Sequence, residues 1–198
     1  MKKILAIAAM AAALLFTGCK KTSNFNKYLV PDYEYVQAQY EGQQVVFYEA
    51  QIILNGSPAE LGRKAKPVSV KEVFQVVDSA LVVFVNRDYA NGTFEVEEHQ
   101  GYWCEDVVVD PYTVGDYNYA LEALLNVKGV IEIPDAVFVT LRNPLGPTPY
   151  ENPFYIFGSN HTSFIAVDAV TFEVQSFNAS ESVLKETVEE LEEELVEE

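Results

Sequence analysis

Cysteine is almost missing from this chain, at two in 198 residues, and the shortage removes several chemistries at once. No Cys-x-x-Cys or His-x-x-x-His pair occurs, and the two histidines, His99 and His161, are far apart, so a zinc site would need distant residues to converge. Gly-x-Ser-x-Gly, P-loop and Gly-x-Gly-x-x-Gly sequences are absent as well, which leaves no elbow nucleophile and no phosphate cradle. Carboxylates are too numerous for any pair to stand out as general acid and base. The chain is therefore expected to be no enzyme, with no catalytic residue, metal or cofactor. Positive charge is the second shortage: 13 Lys and Arg face 30 Asp and Glu, for a net charge of -17. Such a surface repels phosphate, so nucleic acid is excluded as a partner. The charge reads as solubility in an exported protein, with attraction to a basic partner or to cations as the alternative.

Long apolar runs are lacking too. The run 4–16 follows Lys2 and Lys3, is too short to span a bilayer, and leads to Thr17-Gly18-Cys19, the layout of a secretory signal peptide. Its end, Leu14-Leu15-Phe16-Thr17-Gly18-Cys19, resembles the lipobox of bacterial lipoproteins, with Phe16 where that family carries Leu. The resemblance implies removal of 1–18, lipidation of Cys19 and a place in the cell envelope, anchored in the outer membrane with the leaflet open. Secretion with a free Cys19 is the other reading. If Cys19 carries lipid, Cys104 has no disulfide partner; it reads as a small buried hydrophobe, with a nucleophile as the alternative.

What the chain does have is 49% apolar and 13% aromatic residues, enough for a packed, β-rich body. Residues 19–30 read as a lipidated tether. In 31–66, the runs 33–40 and 44–54 around Glu41-Gly42-Gln43 predict a hairpin, with a helix over part of 33–53 as the alternative. In 67–115, Ser69-Val70-Lys71-Glu72 has the capping-box form, and Val70, Val73, Phe74, Val77 and Leu81 recur at helical spacing. Strands are expected after it at 81–85, 94–97 and 102–109, with a turn at Asn91-Gly92. In 116–177 the order repeats. Asp116 can cap a helix striped by Tyr117, Ala120, Leu121, Leu124 and Leu125 and ended by Gly129, and strands follow at 136–141, 154–157 and 163–167. Val107-Val108-Val109-Asp110-Pro111-Tyr112-Thr113 and Ile165-Ala166-Val167-Asp168-Ala169-Val170-Thr171 share an apolar triplet, an Asp and a Thr three places on. The fold expected is α+β: two diverged α-β-β-β units with helices packed on antiparallel sheet, preceded by the hairpin and followed by an acidic C-terminal helix over 178–198. In that tail Leu184, Val188, Leu191 and Leu195 lie among glutamates whose i,i+4 repulsions would fray an unsupported helix; a coiled coil and a disordered tail are the alternatives.

Val167-Asp168-Ala169-Val170-Thr171-Phe172-Glu173-Val174 resembles the closing hairpin of PepSY-like domains, Val-Asp-Ala-x-Thr-Gly-Glu-Val. Phe172 stands where that pattern has Gly, which suggests a different turn type. The resemblance implies tandem PepSY-like units, similar in layout to the β-lactamase inhibitory protein, and a protein- or peptide-binding, inhibitory role. A glycan- or small-ligand-binding accessory lipoprotein is the alternative. Candidate binding residues are Arg142 and Tyr150 in the proline-rich loop 142–153, and Trp103 and Tyr112 in a second aromatic group.

Overall fold

The computed structural model describes residues 25–103, 107–127, 132–144, 150–160 and 163–178. Outside them lie the signal segment with Cys19, the positions Cys104, Gly129 and His161, residues 145–149 of the proline-rich loop, and the acidic tail after 178. Among the described residues no helix is long and apolar enough to cross a membrane.

Helix α1 (Asn26–Gln39) leads into strand β1 (Val45–Leu54), a short helix α2 (Pro58–Leu61) with a 3-10 turn (Gly62–Lys64), and strands β2 (Pro67–Val76), β3 (Leu81–Asp88) and β4 (Thr93–Gln100). Helix α3 (Tyr117–Asn126) follows, then β5 (Phe138–Arg142), β6 (Phe154–Asn160), β7 (Ser163–Asp168) and β8 (Val174–Asn178). All eight strands form one antiparallel sheet in the order β4-β3-β2-β1-β5-β6-β7-β8. The expected α+β class with an antiparallel sheet is observed. The order is symmetrical about the β1–β5 pair, in which Gln51 faces Thr140.

Both long helices pack on one face of the sheet. Leu29 and Val36 of α1 and Tyr117, Leu121 and Leu124 of α3 share a buried cluster with Phe47, Ile52, Phe74, Leu141 and Phe157. Because strand side chains alternate faces, this core takes every second residue of each strand. The start of α3 is capped as expected, the Asp116 side chain accepting from the Asn118 N–H. The two helices are also tied together: Asn26 Oδ1 accepts from Tyr117 N at 2.7 Å, and Asn26 Nδ2 donates to Gly115 O at 2.8 Å and to Tyr155 Oη at 2.9 Å.

Three expectations for the first half are corrected. The segment 69–81 is no helix: it supplies most of β2, because Val70, Glu72, Phe74 and Val76 alternate onto the helix side while Val73 and Gln75 are buried on the other. The helix of this half lies upstream, where 33–39 falls inside α1, in line with the helical alternative for this stretch; only the second arm of the expected hairpin, β1, is a strand. Among the described residues of the expected third strand at 102–109, only Val109 pairs, in a single bridge to Phe47. The half thus runs helix, then four strands.

The closing turn after β7 also corrects an expectation. Asp168 Oδ1 accepts from Val170 N and Thr171 N, both at 2.8 Å, and Phe172 takes φ +62° with its N–H donating to Asp168 O at 3.0 Å. Phenylalanine therefore holds the left-handed position itself, and no different turn replaces it. After β3 the same turn recurs: Asp88 Oδ1 accepts from Ala90 N and Asn91 N, and Gly92 at φ +72° donates to Asp88 O.

Candidate functional site

The face of the sheet turned away from the helices is the site. One cross-strand row on it runs Glu95, Asn86, Lys71, Gln51, Thr140, Ile156, Ala166, Gln175 from β4 to β8. Its two ends are covered in different ways. Near β2 and β3, Gln75 is buried under the chain leaving β4: its Nε2 donates to Leu81 O and Gly101 O, and its Oε1 accepts from Trp103 N at 2.8 Å. Trp103 is thereby laid edge-on against Phe84, 5.8 Å between ring centroids, above Val73 and Val82. At the other end Tyr150 donates to Gln175 Oε1 and meets the Phe154 ring edge-on at 5.3 Å. Between these walls the middle of the face is open.

The open middle is a depression of about 680 Å³ whose lining includes Glu49, Gln51, Ile53, Lys71, Phe138, Thr140 and Arg142. Ile53 and Phe138 are cross-strand partners, 48% and 41% exposed. Around this apolar pair the polar groups are held in place. Arg142 Nη1 lies 3.7 Å from Glu49 Oε2, Gln51 Nε2 donates to Glu49 Oε1 at 2.7 Å, and Lys71 Nζ sits 3.7 Å above the Phe84 ring. Fixed polar groups around an exposed apolar pair suit recognition of a surface or a segment.

Of the candidates named from the sequence, three share this face: Arg142 lines the depression, and Trp103 and Tyr150 cover other parts of the face. Tyr112 does not join them. It lies on the helix side, its ring edge-on to Tyr33 at 6.0 Å and its hydroxyl donating to Glu34 at 3.3 Å. The expected aromatic group of Trp103 and Tyr112 is therefore split across the sheet. Ile53, Phe138, Lys71 and Glu49 were not singled out. The signal was present in Ile52-Ile53 and in Val137-Phe138-Val139, where apolar residues occupy both faces of strands that have a cover on one face only.

The second concentration of charge lies under α1. Arg87 makes a two-pronged pair with Asp32 through Nε and Nη2, and its guanidinium sits 4.5 Å from the rings of both Tyr28 and Phe94. Beside them Glu72 is fully buried against Asp32, and among the described residues the Tyr89 hydroxyl has no hydrogen-bond partner. Burial, reinforced by the charge of Asp32, pushes the Glu72 carboxyl well above the usual carboxylate range, which favours the neutral acid. Burial also raises the Tyr89 phenol far above its ordinary value. This cluster is closed to solvent at Glu72 and positions α1 on the sheet.

His99 stands exposed on β4 with Nε2 3.7 Å from Glu97 Oε2. Among the described residues no group of three or more His, Cys, Asp or Glu could hold a metal ion. No family model, curated protein or solved structure matches this chain.

Proposed function

We propose that the chain is a bacterial envelope lipoprotein, anchored in the outer membrane through acylated Cys19, whose open sheet face binds an envelope protein or peptide without catalysing a reaction. The carrying observation is the exposed Ile53–Phe138 pair in the depression of the open face. An apolar anchor ringed by oriented polar groups is what protein interfaces concentrate their binding energy on. We also infer two diverged PepSY-like units. This rests on the symmetrical strand order and on the paired turns Asp88 to Gly92 and Asp168 to Phe172, in place of the sequence match between 107–113 and 165–171. Inhibition of the bound partner is the role that resemblance implies.

The test is a photo-crosslinking residue placed at Phe138 in the full chain, with one at Tyr119, exposed on the helix side, as control. A discrete protein adduct from position 138 alone, weakened by Ile53→Asp, is the expected result. No adduct, or equal adducts from both positions, overturns the reading. The address is tested separately: Cys19→Ser is expected to leave the fold intact and release the protein into the soluble fraction, and persistent membrane association refutes the lipid anchor. The glycan alternative needs rings offered to a sugar, whereas Trp103 and Tyr150 are engaged with Phe84 and Phe154. Protein binding is accordingly the better supported.

A further inference from the structure

We propose that the outer edge of β4 is a strand-addition site for an extended, positively charged segment that alternates basic and apolar residues. β4 is the last strand on its side of the sheet, and among the described residues no strand pairs with its outer edge. It is eight residues long and regular, pairing one to one with β3 from Leu81–Gln100 to Asp88–Thr93 without a bulge, and it contains no proline. A long flat edge of this kind offers a row of main-chain donors and acceptors, which proteins usually blunt with bulges, prolines or lysines. Among the described residues the guard here is negative charge.

That charge selects the occupant. Glu95 and Glu97 project on the open face and Glu98 on the helix side, all exposed. A second copy of the same edge would set carboxylates against carboxylates, which is unfavourable across a strand pair. Lysine or arginine at those cross-strand positions would be attracted. The two faces of the edge differ in a way that fixes the alternation. On the open face Thr93 and Glu95 border the depression already described. On the helix side a second depression of about 480 Å³ lies between α1 and the edge, lined by Tyr35, Val36, Gln39, Tyr40, Val83, Val96 and Glu98. Tyr40 closes part of its mouth by donating to Glu98 Oε1 at 2.5 Å, and Val96, 37% exposed, supplies its apolar wall on β4. An added strand would place alternate side chains on the two faces, basic ones beside Glu95 and Glu97 and apolar ones beside Val96 and Tyr35. Main-chain bonds then give affinity and the flanking hollows give selectivity.

The proposal deepens the reading of the protein as a binding module; its bonding edge touches the open-face depression at Thr93 and Glu95 but is separate from the Ile53–Phe138 pair on β1 and β5, so the two fail separately. The probe is a labelled Lys-Val-Lys-Val-Lys-Val-Lys peptide titrated against the full chain by fluorescence anisotropy. Two further peptides carry N-methyl groups on alternate residues, one set along each edge of the extended peptide, leaving charge unchanged. The expected result is saturable binding that falls roughly tenfold or more for one methylated set and changes little for the other, since only one edge can bond to β4. Glu95→Lys with Glu97→Lys is expected to abolish binding of this peptide and to admit Glu-Val-Glu-Val-Glu-Val-Glu. Phe138→Asp, on the open middle of the face, is expected to leave both results as they are. Equal binding of the two methylated peptides means adsorption to an acidic surface and overturns the site, as does the absence of binding. Loss of binding in Phe138→Asp places the peptide on the open face and overturns the edge assignment.

Discussion

The two halves of the sheet share one ladder and fill it with opposite chemistry. Glu72 faces Ala50 on β1, and Phe157 faces Val139 on β5; Ala50 and Val139 each precede the central Gln51–Thr140 pair by one residue, so Glu72 and Phe157 occupy equivalent positions. By the same register Arg87 on β3 corresponds to Val167 on β7. One half therefore buries Asp32 and Glu72 with half-buried Arg87 beneath its helix, where the other buries Phe157 and Val167 with Leu121 and Leu124. Because the second half folds around an apolar core at the same ladder positions, the ionic group is not needed to make the architecture. Its role is to fix α1, through the two-pronged bond between Arg87 and Asp32.

The comparison breaks most sharply at Asp32. Asp32→Ala leaves Arg87 desolvated without its carboxylate partner, and removing one member of a buried pair costs about 3–5 kcal/mol. Urea denaturation is expected to show that loss, with exposure of α1. A loss under about 1 kcal/mol, the scale of a surface pair, would mean that Arg87 finds water and that the pair is not a buried one. Replacing all three groups together tests the other side. Asp32→Leu with Glu72→Phe and Arg87→Val gives the first half the chemistry of the second, and such exchanges range from neutral to about 4 kcal/mol more stable. Severe destabilisation of the triple variant would show that α1 cannot seat without the charges.

The same three residues explain which half could be read from the sequence. The expected helix capped by Asp116 and the strands expected at 136–141, 154–157 and 163–167 came out close to the observed α3, β5, β6 and β7 because apolar residues hold their core positions. In α1 the buried positions are Leu29, Asp32 and Val36, with Pro31 inside the helix, so an acid and a proline interrupt the stripe that would have marked it. In β2 the buried Glu72 stands three residues after Ser69, which imitates a capping box and turns a strand into an expected helix. A buried charge is invisible to hydrophobic periodicity. The site was legible to the same degree: Arg142, Trp103 and Tyr150 stood out by type, but which sheet face lay open depended on where the helices packed.

A smaller effect sharpens the comparison through pH. Buried Glu72, its carboxyl pushed well above the usual range, holds its proton more tightly in the folded protein than in the unfolded chain, where it ionises above its ordinary value of 4.5. Above that pH the unfolded state binds fewer protons than the folded one, so stability falls as pH rises, by up to about 1.4 kcal/mol per unit, until the raised folded value is passed. Glu72→Gln removes that slope. Denaturation at pH 5 and 7.5 is expected to show wild type losing stability with rising pH and the variant losing less. Parallel slopes would mean that Glu72 is ionised in the folded protein.

The smallest expected effect lies in the two turns, where the halves differ by Gly92 against Phe172. At positive φ a side chain costs roughly 1–2 kcal/mol over glycine. Gly92 has open space around it, so Gly92→Ala meets no neighbour and is expected to lose only about that backbone strain. Phe172 bears the strain in return for packing. Its ring lies 5.6 Å from that of Tyr119, and its Cζ comes within 2.5 Å of where a side chain on Gly115 would begin. Fully burying a phenylalanine contributes about 1.5–3 kcal/mol, and half-buried Phe172 gains the part of it that offsets the strain. Phe172→Gly is therefore expected to destabilise by about 1 kcal/mol or less despite the easier backbone. If thermal denaturation finds the glycine variant more stable, the packing on α3 is worth less than the strain, and the turn of the second half is held by Asp168 alone.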